Sequence, residues 1–296
     1  MFGRIQSAHF IGKDNNMRVL ITGCAGQLGH DVYELLKAKG ETCIAADKAD
    51  FDLTNADSAM GFVQAFRPDA VVHCAAYTAV DKAEDDSINC YAVNVTGTKN
   101  LCAACKNLDV KFVYISTDYV FDGEKKEPYE PDDAPNPQTV YGLTKFGGEN
   151  AVRHSIAKHF IVRTAWVFGA NGNNFVKTML RLGSERDTLN VVCDQFGSPT
   201  YTKDLARLIC DMLETDCYGT YHATNEGFCS WAEFAYEIMR QSGSNARVVP
   251  ITSSEYPAQA KRPMNSKLSK QKLIENGFET LPDWKDALGR FLEEIK

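Results

Sequence analysis

The amino-acid sequence predicts an α/β fold: a doubly wound parallel sheet followed by a smaller, mixed α/β region. Three observations carry this. Short β-rich runs alternate with helical patterns through the first half of the chain. The runs are apolar on both faces, as strands covered by helices on both sides must be. The residues suited to chemistry fall where those runs end, which is where such a sheet binds its ligands.

Taken in order, Arg18–Thr22 (RVLIT) is a short apolar run that stops at Gly23. A helix is predicted from about Leu28 to Lys39, with Val32, Leu35 and Leu36 on one face and Gly40 as its stop. Thr42–Asp47 (TCIAAD) is the second strand, Asn55–Phe66 a helix ended by Arg67-Pro68, and Ala70–Cys74 (AVVHC) the third strand. A helical stretch over roughly Ile88–Asn107 precedes the strand Lys111–Thr117 (KFVYIST); another helix begins near Tyr141, and Phe160–Arg163 opens the next strand. Right-handed crossovers between such strands give the double winding.

After Arg163 the pattern loosens, with glycine, asparagine and aromatic residues gathered around Trp166–Phe175 and Gln195–Tyr201. Leu189–Cys193 and Thr220–Thr224 read as further strands. Ser230–Gly243 reads as a helix opened by a Ser230/Glu233 capping box, and Asp283–Lys296 as an amphipathic helix. The expected organisation is an N-terminal extension over 1–16, then a first domain over 17–165, completed by part of 188–215. A substrate-binding domain then takes 166–187 and 216–296.

Composition narrows the function. Apolar residues make up 44% of the chain, enough for a sizeable core, and the formal net charge of −7 argues against nucleic acid as a partner. No run approaches the ~18 apolar residues of a membrane span. Residues 1–16 are too polar and interrupted for a signal peptide. Ten cysteines, mostly inside apolar runs, then read as reduced thiols of a cytoplasmic protein. Cys102 and Cys105 form a CxxC with no second pair, which reads as a helix face rather than a metal or redox site. No metal ligand set is expected.

Gly23-Cys24-Ala25-Gly26-Gln27-Leu28-Gly29 joins the first strand to the first helix. Glycines there allow a tight turn and close approach of backbone to a pyrophosphate, which the helix N-terminus attracts. The spacing is GxxGxxG, and its position between strand and helix points to a dinucleotide on a Rossmann-type sheet. Asp47, ending the second strand, suits an adenosine ribose and so NADH, whereas Lys48 suits the 2′-phosphate of NADPH; the preference stays open. Asp52-Leu53 is read equally as an adenine flank or a helix-entry turn.

Tyr141-Gly142-Leu143-Thr144-Lys145 is a YxxxK at a helix start, which puts both side chains on one face. A free phenol titrates near ~10 and is a poor proton donor at neutral pH; a nearby ammonium lowers that value. Ser116-Thr117-Asp118 ends a strand one loop upstream, and a Thr117 hydroxyl there can bond both the tyrosine and a substrate oxygen. Turn, hydroxyl and YxxxK, each at a strand end, predict a reductase-type site.

These residues resemble the extended short-chain dehydrogenase/reductase family. Within it, Gly26-Gln27-Leu28-Gly29, the run Ala76-Tyr77-Thr78-Ala79-Val80-Asp81-Lys82-Ala83-Glu84, Ser116–Phe121, Arg163–Phe168 and Lys261-Arg262-Pro263 are similar to the dTDP-4-dehydrorhamnose reductase branch. The resemblance runs nearly from Met17 to the C-terminus. It implies hydride transfer from NADPH or NADH to the C4 ketone of dTDP-4-dehydro-L-rhamnose, a nucleotide-sugar substrate. Catalysis would fall to Tyr141, Lys145 and Thr117. Thr117, Asp118 and Trp166 would contact the sugar. Gly23, Gly26, Gln27, Leu28, Asp47, Asp52, Leu53, Ala76, Tyr77 and Thr78, with Tyr141 and Lys145, would line the dinucleotide. Lys261-Arg262 is read equally as a grip on the substrate diphosphate or a solvated basic pair. Some family members form dimers that share a Mg2+ ion through acidic residues, one a glutamate just after the glycine turn. Asp31 stands at that position here, which puts Mg2+ in doubt and leaves monomer and homodimer open.

The competing readings are another nucleotide-sugar reductase or epimerase of the family, or a non-catalytic regulatory subunit resembling the partner of methionine adenosyltransferase. Related dehydratases place an Asp-Glu pair after the threonine, whereas Tyr119 follows Asp118 here, so reduction without elimination fits better. A chain starting at Met17 is expected to retain the turnover of the full chain; loss of turnover would refute the extension.

Overall fold

The protein was analysed as a computed structural model that describes residues 16–256 and 258–296. The expected extension over 1–16 therefore lies, but for Asn16, outside the described residues. The doubly wound parallel sheet is present. Its strands are β1 (Arg18–Thr22), β2 (Thr42–Ala46), β3 (Ala70–His73), β4 (Lys111–Thr117), β5 (His159–Thr164) and an edge strand, Gly219–His222. The spatial order runs from that edge strand through β5, β4, β3 and β1 to β2, every pairing parallel. The chain leaves β1 toward β2 and then returns to its other side at β3, which opens a crevice at the carboxyl ends of β1 and β3.

Alternation along the strands splits the first core in two. Val19 and Ile21 of β1 face helices α1 (Gln27–Ala38) and Thr202–Leu213, meeting Val32, Leu36, Leu205 and Ile209. Leu20, on the opposite face, joins Val63 of α2 (Ala56–Phe66) with Leu101, Phe112 and Val152. Each helix start has its own cause. Asn55 caps α2 by accepting from the Ser58 amide at 3.0 Å, and Ser230 and Glu233 form the expected capping box on Trp231–Ser242. By contrast α1 starts at Gly26 with no side-chain cap, leaving its first amides free.

A second lobe packs Phe168, Phe234, Trp284, Leu288 and Phe291 into a separate core. Its strands Thr188–Val192 and Arg247–Ile251 pair in parallel.

Two segments differ from expectation. The helix predicted over about 88–107 is broken into α4 (Ser87–Tyr91), a π-helical turn (Ala92–Gly97) and α5 (Thr98–Cys105), preceded by the short α3 (Val80–Asp85). The wide turn is where Asn94 leaves the helix surface to bond a neighbouring loop. The strand expected at 220–224, assigned from sequence to the second region, is the edge strand of the large sheet instead. Its Thr-Tyr pattern suits either sheet, and only the pairing with β5 decides. Cys102 and Cys105 lie buried in α5, and burial raises both thiols, Cys105 to about 12.

Gly29 sits in the first turn of α1, where an added Cβ would collide with the Gly23 carbonyl oxygen. Gly29→Ala is expected to cost ~1–3 kcal/mol through that overlap. The measurement is the urea midpoint at unchanged m; an unshifted midpoint would contradict the close approach.

Candidate active site

The crevice opens into a cavity of about 1220 Å³ between the two lobes, and every site residue expected from sequence lines it. The glycine turn forms one end. Gly23 has φ +75°, and a Cβ there would come within 2.7 Å of the Ala75 amide nitrogen, so the turn lies flat on the end of β3. The uncapped amides of α1 face this end with no acidic side chain in the first turn, an arrangement that fits a pyrophosphate. Asp47 accepts from the Ala25 amide at 2.8 Å and thereby steadies the turn. Asp52 accepts from the Thr54 amide and hydroxyl at 2.9 and 2.7 Å, so it serves the helix-entry turn while lining the cavity. Leu53 packs over Gly97 of the π-turn.

Asn94, which the sequence reading missed, clamps the Ala76-Tyr77-Thr78 loop. Its Oδ1 accepts from the Tyr77 amide at 2.8 Å, while its Nδ2 donates to the Tyr77 carbonyl at 3.1 Å and to Thr144 Oγ1 at 3.0 Å. One buried amide thus ties the loop to the helix that carries the YxxxK. An asparagine inside a helical pattern carries no signal of such a partner, so the sequence offered none.

That helix is α6 (Val140–Ser155). Thr139 caps it, accepting from the Gly142 amide at 3.0 Å, and Glu84 takes the Val140 amide at 3.0 Å. Gly142 is required by contact, because a Cβ there would strike the Tyr119 carbonyl. This close approach sets Tyr141 against the end of β4, where Tyr119 meets its ring edge-on at 5.5 Å and the Thr117 hydroxyl is its polar neighbour. Burial raises the Tyr141 pKa above the ordinary phenol value; Thr117 works against the shift and Asp118 with it.

Lys145 is buried one turn further on. Its ammonium lies 4.2 Å from the Tyr114 ring centroid, and burial pulls its pKa down to about 7 against the attraction of Glu149. The expected lowering of the tyrosine by the lysine is therefore not realised in this geometry: burial dominates both groups. Asp118, also buried, accepts from Thr117 Oγ1 at 2.9 Å with one oxygen and leaves the other unpartnered. Burial pushes its pKa up to about 6.

The second lobe supplies the facing wall. Trp166 holds a left-handed backbone, φ +50°, unusual for a non-glycine residue and a form of strain found at binding sites. It stacks on Trp231 at 3.6 Å between centroids, and Gly197 leaves room for the indole. Trp231 and Gln195 also line the cavity, and neither stood out in the sequence. Arg262 lines it too, paired with Asp81 at 3.0 and 2.6 Å, whereas Lys261 is exposed and 3.9 Å from Glu124. Asp31 is buried in α1, not on the cavity lining, and no group of three or more His, Cys, Asp or Glu among the described residues is placed to hold a metal ion.

Because Asp118 titrates higher in the folded chain, near 6, than its ordinary 3.8, the native state favours its proton. That contribution is full below pH ~4 and is lost as pH rises through about 6. The stability of Asp118→Asn relative to the parent is expected to rise by up to ~3 kcal/mol between pH ~4 and ~7. Urea unfolding across that range checks it; a pH-independent difference would contradict the burial.

Residues 17–296 match the family model described as RmlD substrate binding domain. A spore coat polysaccharide biosynthesis protein, SpsK, of Bacillus subtilis is 39% identical, the alignment covering 94% of this chain and 97% of that protein. A dTDP-4-dehydrorhamnose reductase of Aggregatibacter actinomycetemcomitans is 41% identical over 92% of this chain and 97% of its own. Among solved structures, a dTDP-4-dehydrorhamnose reductase of Bacillus anthracis in complex with NADP superposes with TM-score 0.92 at 44% identity, covering 95% of this chain and all of that one.

Proposed function

The chain belongs to the RmlD substrate binding domain family, and from that membership and the cavity's geometry we propose that it is an NADPH- or NADH-dependent reductase of the C4 ketone of dTDP-4-dehydro-L-rhamnose, yielding dTDP-L-rhamnose. The observation that carries the reading is the meeting of Thr117, Tyr141 and Lys145 in the cavity that also holds the open N-terminus of α1.

When bound, the reduced nicotinamide supplies the hydride. The chain's residues do the rest. Amides of α1 and the glycine turn hold the pyrophosphate, Asp47 the adenosine ribose, and the Asn94-clamped loop the flank of the dinucleotide. Lys145 holds the nicotinamide ribose and, charged, stabilises a phenolate at Tyr141. Tyr141 gives its proton to the ketone oxygen as negative charge develops there, and the Thr117 hydroxyl, turning from Asp118, donates to the phenol oxygen. Asp118 accepts from a sugar hydroxyl through its unpartnered oxygen, and Trp166 offers an aromatic face to the ring. Arg262, held in place by Asp81, takes the substrate diphosphate.

In this reading the lobe built on the large sheet binds the dinucleotide and the second lobe covers the sugar. No helix among the described residues is long and apolar enough to cross a membrane. A cytoplasmic monomer or homodimer is the proposed setting, supported by ten unpaired cysteines.

The test mixes the protein with dTDP-4-dehydro-L-rhamnose and NADPH or NADH and follows absorbance of the reduced nicotinamide. Oxidation is expected in the parent, with Tyr141→Phe lowering kcat on the order of 10³-fold. No oxidation with either cofactor would overturn the assignment.

A further inference from the structure

We propose that the loop over residues 169–174 is a clasp that sets the dwell time of the dinucleotide, with Asn171 and Asn174 as its positioning residues; this rests on the reading that the cavity takes a dinucleotide at the glycine turn. The loop belongs to the second lobe, between the short strand Val167–Phe168 and α7 (Phe175–Glu185), yet it is bonded to the phosphate turn of the first. Asn171 Nδ2 donates to the Ala25 carbonyl at 2.9 Å and to the Gly26 carbonyl at 3.1 Å. Asn174 Nδ2 donates to Gln27 Oε1 at 2.9 Å and to the Gly169 carbonyl at 2.8 Å, while its Oδ1 caps α7 by accepting from the Lys177 amide.

The loop is itself held in shape. Gly172 has φ +72°, and Lys177 Nζ donates to the carbonyls of Ala170 and Gly172. Gly172 and Asn173 then line the same cavity as Gly26 and Gln27. The wall opposite the pyrophosphate seat is therefore a piece of the other lobe.

The atoms chosen matter. A peptide unit is planar with its C=O and N–H opposed, so gripping the Ala25 and Gly26 carbonyls fixes the direction of the amides that follow them. The Gln27 amide, at the open end of α1, is one of these. Asn171 thus orients the turn from the side away from the ligand and closes the lobes over it. The bonds that cross are neutral, each of modest net strength, so the clasp can open. An enzyme that uses a dinucleotide as a consumed reductant must let the oxidised form out at every turnover. A strap of a few neutral bonds suits that need better than a buried ion pair would.

Two variants test it. Asn171→Ala removes the grip on the turn. Asn174→Asp keeps the cap on α7 but loses the donor to Gln27 and to the Gly169 carbonyl. Each is loaded with NADPH and chased with excess NADP+, and the loss of bound NADPH fluorescence gives the dissociation rate. Asn171→Ala is expected to release NADPH on the order of tenfold faster, and Asn174→Asp severalfold faster. The melting temperature of the dinucleotide-free protein is read in parallel. A purely structural contact would lower it and leave the dissociation rate within twofold of the parent, and that result overturns the clasp. A parent that binds neither NADPH nor NADH overturns the cofactor reading itself, a failure seen before any variant is compared.

Discussion

The site depends on one buried ion pair. Glu149 of α6 is fully enclosed, and Arg163 of β5 grips it with two contacts of 2.8 Å. Ser116 of β4 donates to the same carboxylate at 2.6 Å, and Arg153 adds a further contact at 2.8 Å. Burial alone would raise the Glu149 pKa; the Arg163 guanidinium holds it below the usual carboxylate value. Such a pair does little for net stability, since removing two charges from water costs about what their attraction returns. Its effect is registry. Glu149 follows Lys145 by one turn and Tyr141 by two, Ser116 precedes Thr117, and Arg163 lies three residues before Trp166. A single carboxylate therefore aligns the three elements that bring phenol, ammonium, hydroxyl and indole together. Arg163 extends the tie by donating to the Pro131 carbonyl at 3.0 Å.

Around that pair, motifs that look like mere sequence resemblance acquire physical reasons. In the TAVDKAE run, Asp81 pairs with Arg262 and also takes the Ala260 amide at 3.1 Å, while Glu84 receives the first amide of α6. One short helix thus fixes both the start of the catalytic helix and the far strap of the second lobe. The glycines of α6 mark where the helix is pressed. Gly142 meets the turn after β4, and at Gly148 a Cβ would strike the Tyr114 hydroxyl. Tyr114 in turn donates to the Lys145 carbonyl at 3.2 Å and lays its ring under the ammonium. Bulk at these positions would push the helix off the sheet and separate Tyr141 from Thr117.

Much of this was legible because it is local. The doubly wound sheet follows from runs that are apolar on both faces, and the glycine turn and YxxxK each need only a few consecutive residues. What escaped is contact between segments distant in sequence. Asn94 acts through Tyr77 and Thr144; Trp231, at the first position of a capped helix, matters because Trp166 stacks on it; the edge strand Gly219–His222 is defined by pairing with β5. The lysine is the sharper case. Its place on the helix was readable, but its charge state depends on burial and on a Glu149 carboxylate, neither of which spacing alone can locate.

That charge state has a chemical logic. With the cavity free of anions, burial outweighs the neighbouring carboxylate and brings Lys145 to about 7, while the phenol of Tyr141 is raised. Burial thus disfavours the charge on both groups. A pyrophosphate at the open end of α1 brings negative charge into the same poorly screened space, which favours the protonated lysine. A protonated lysine in turn lowers the cost of a phenolate, the form Tyr141 takes once its proton has gone to the ketone oxygen. On the proposed reading, the lowering of the tyrosine expected from the YxxxK spacing belongs to the loaded site, and the groups that seat the dinucleotide and those that move the proton answer to the same charge.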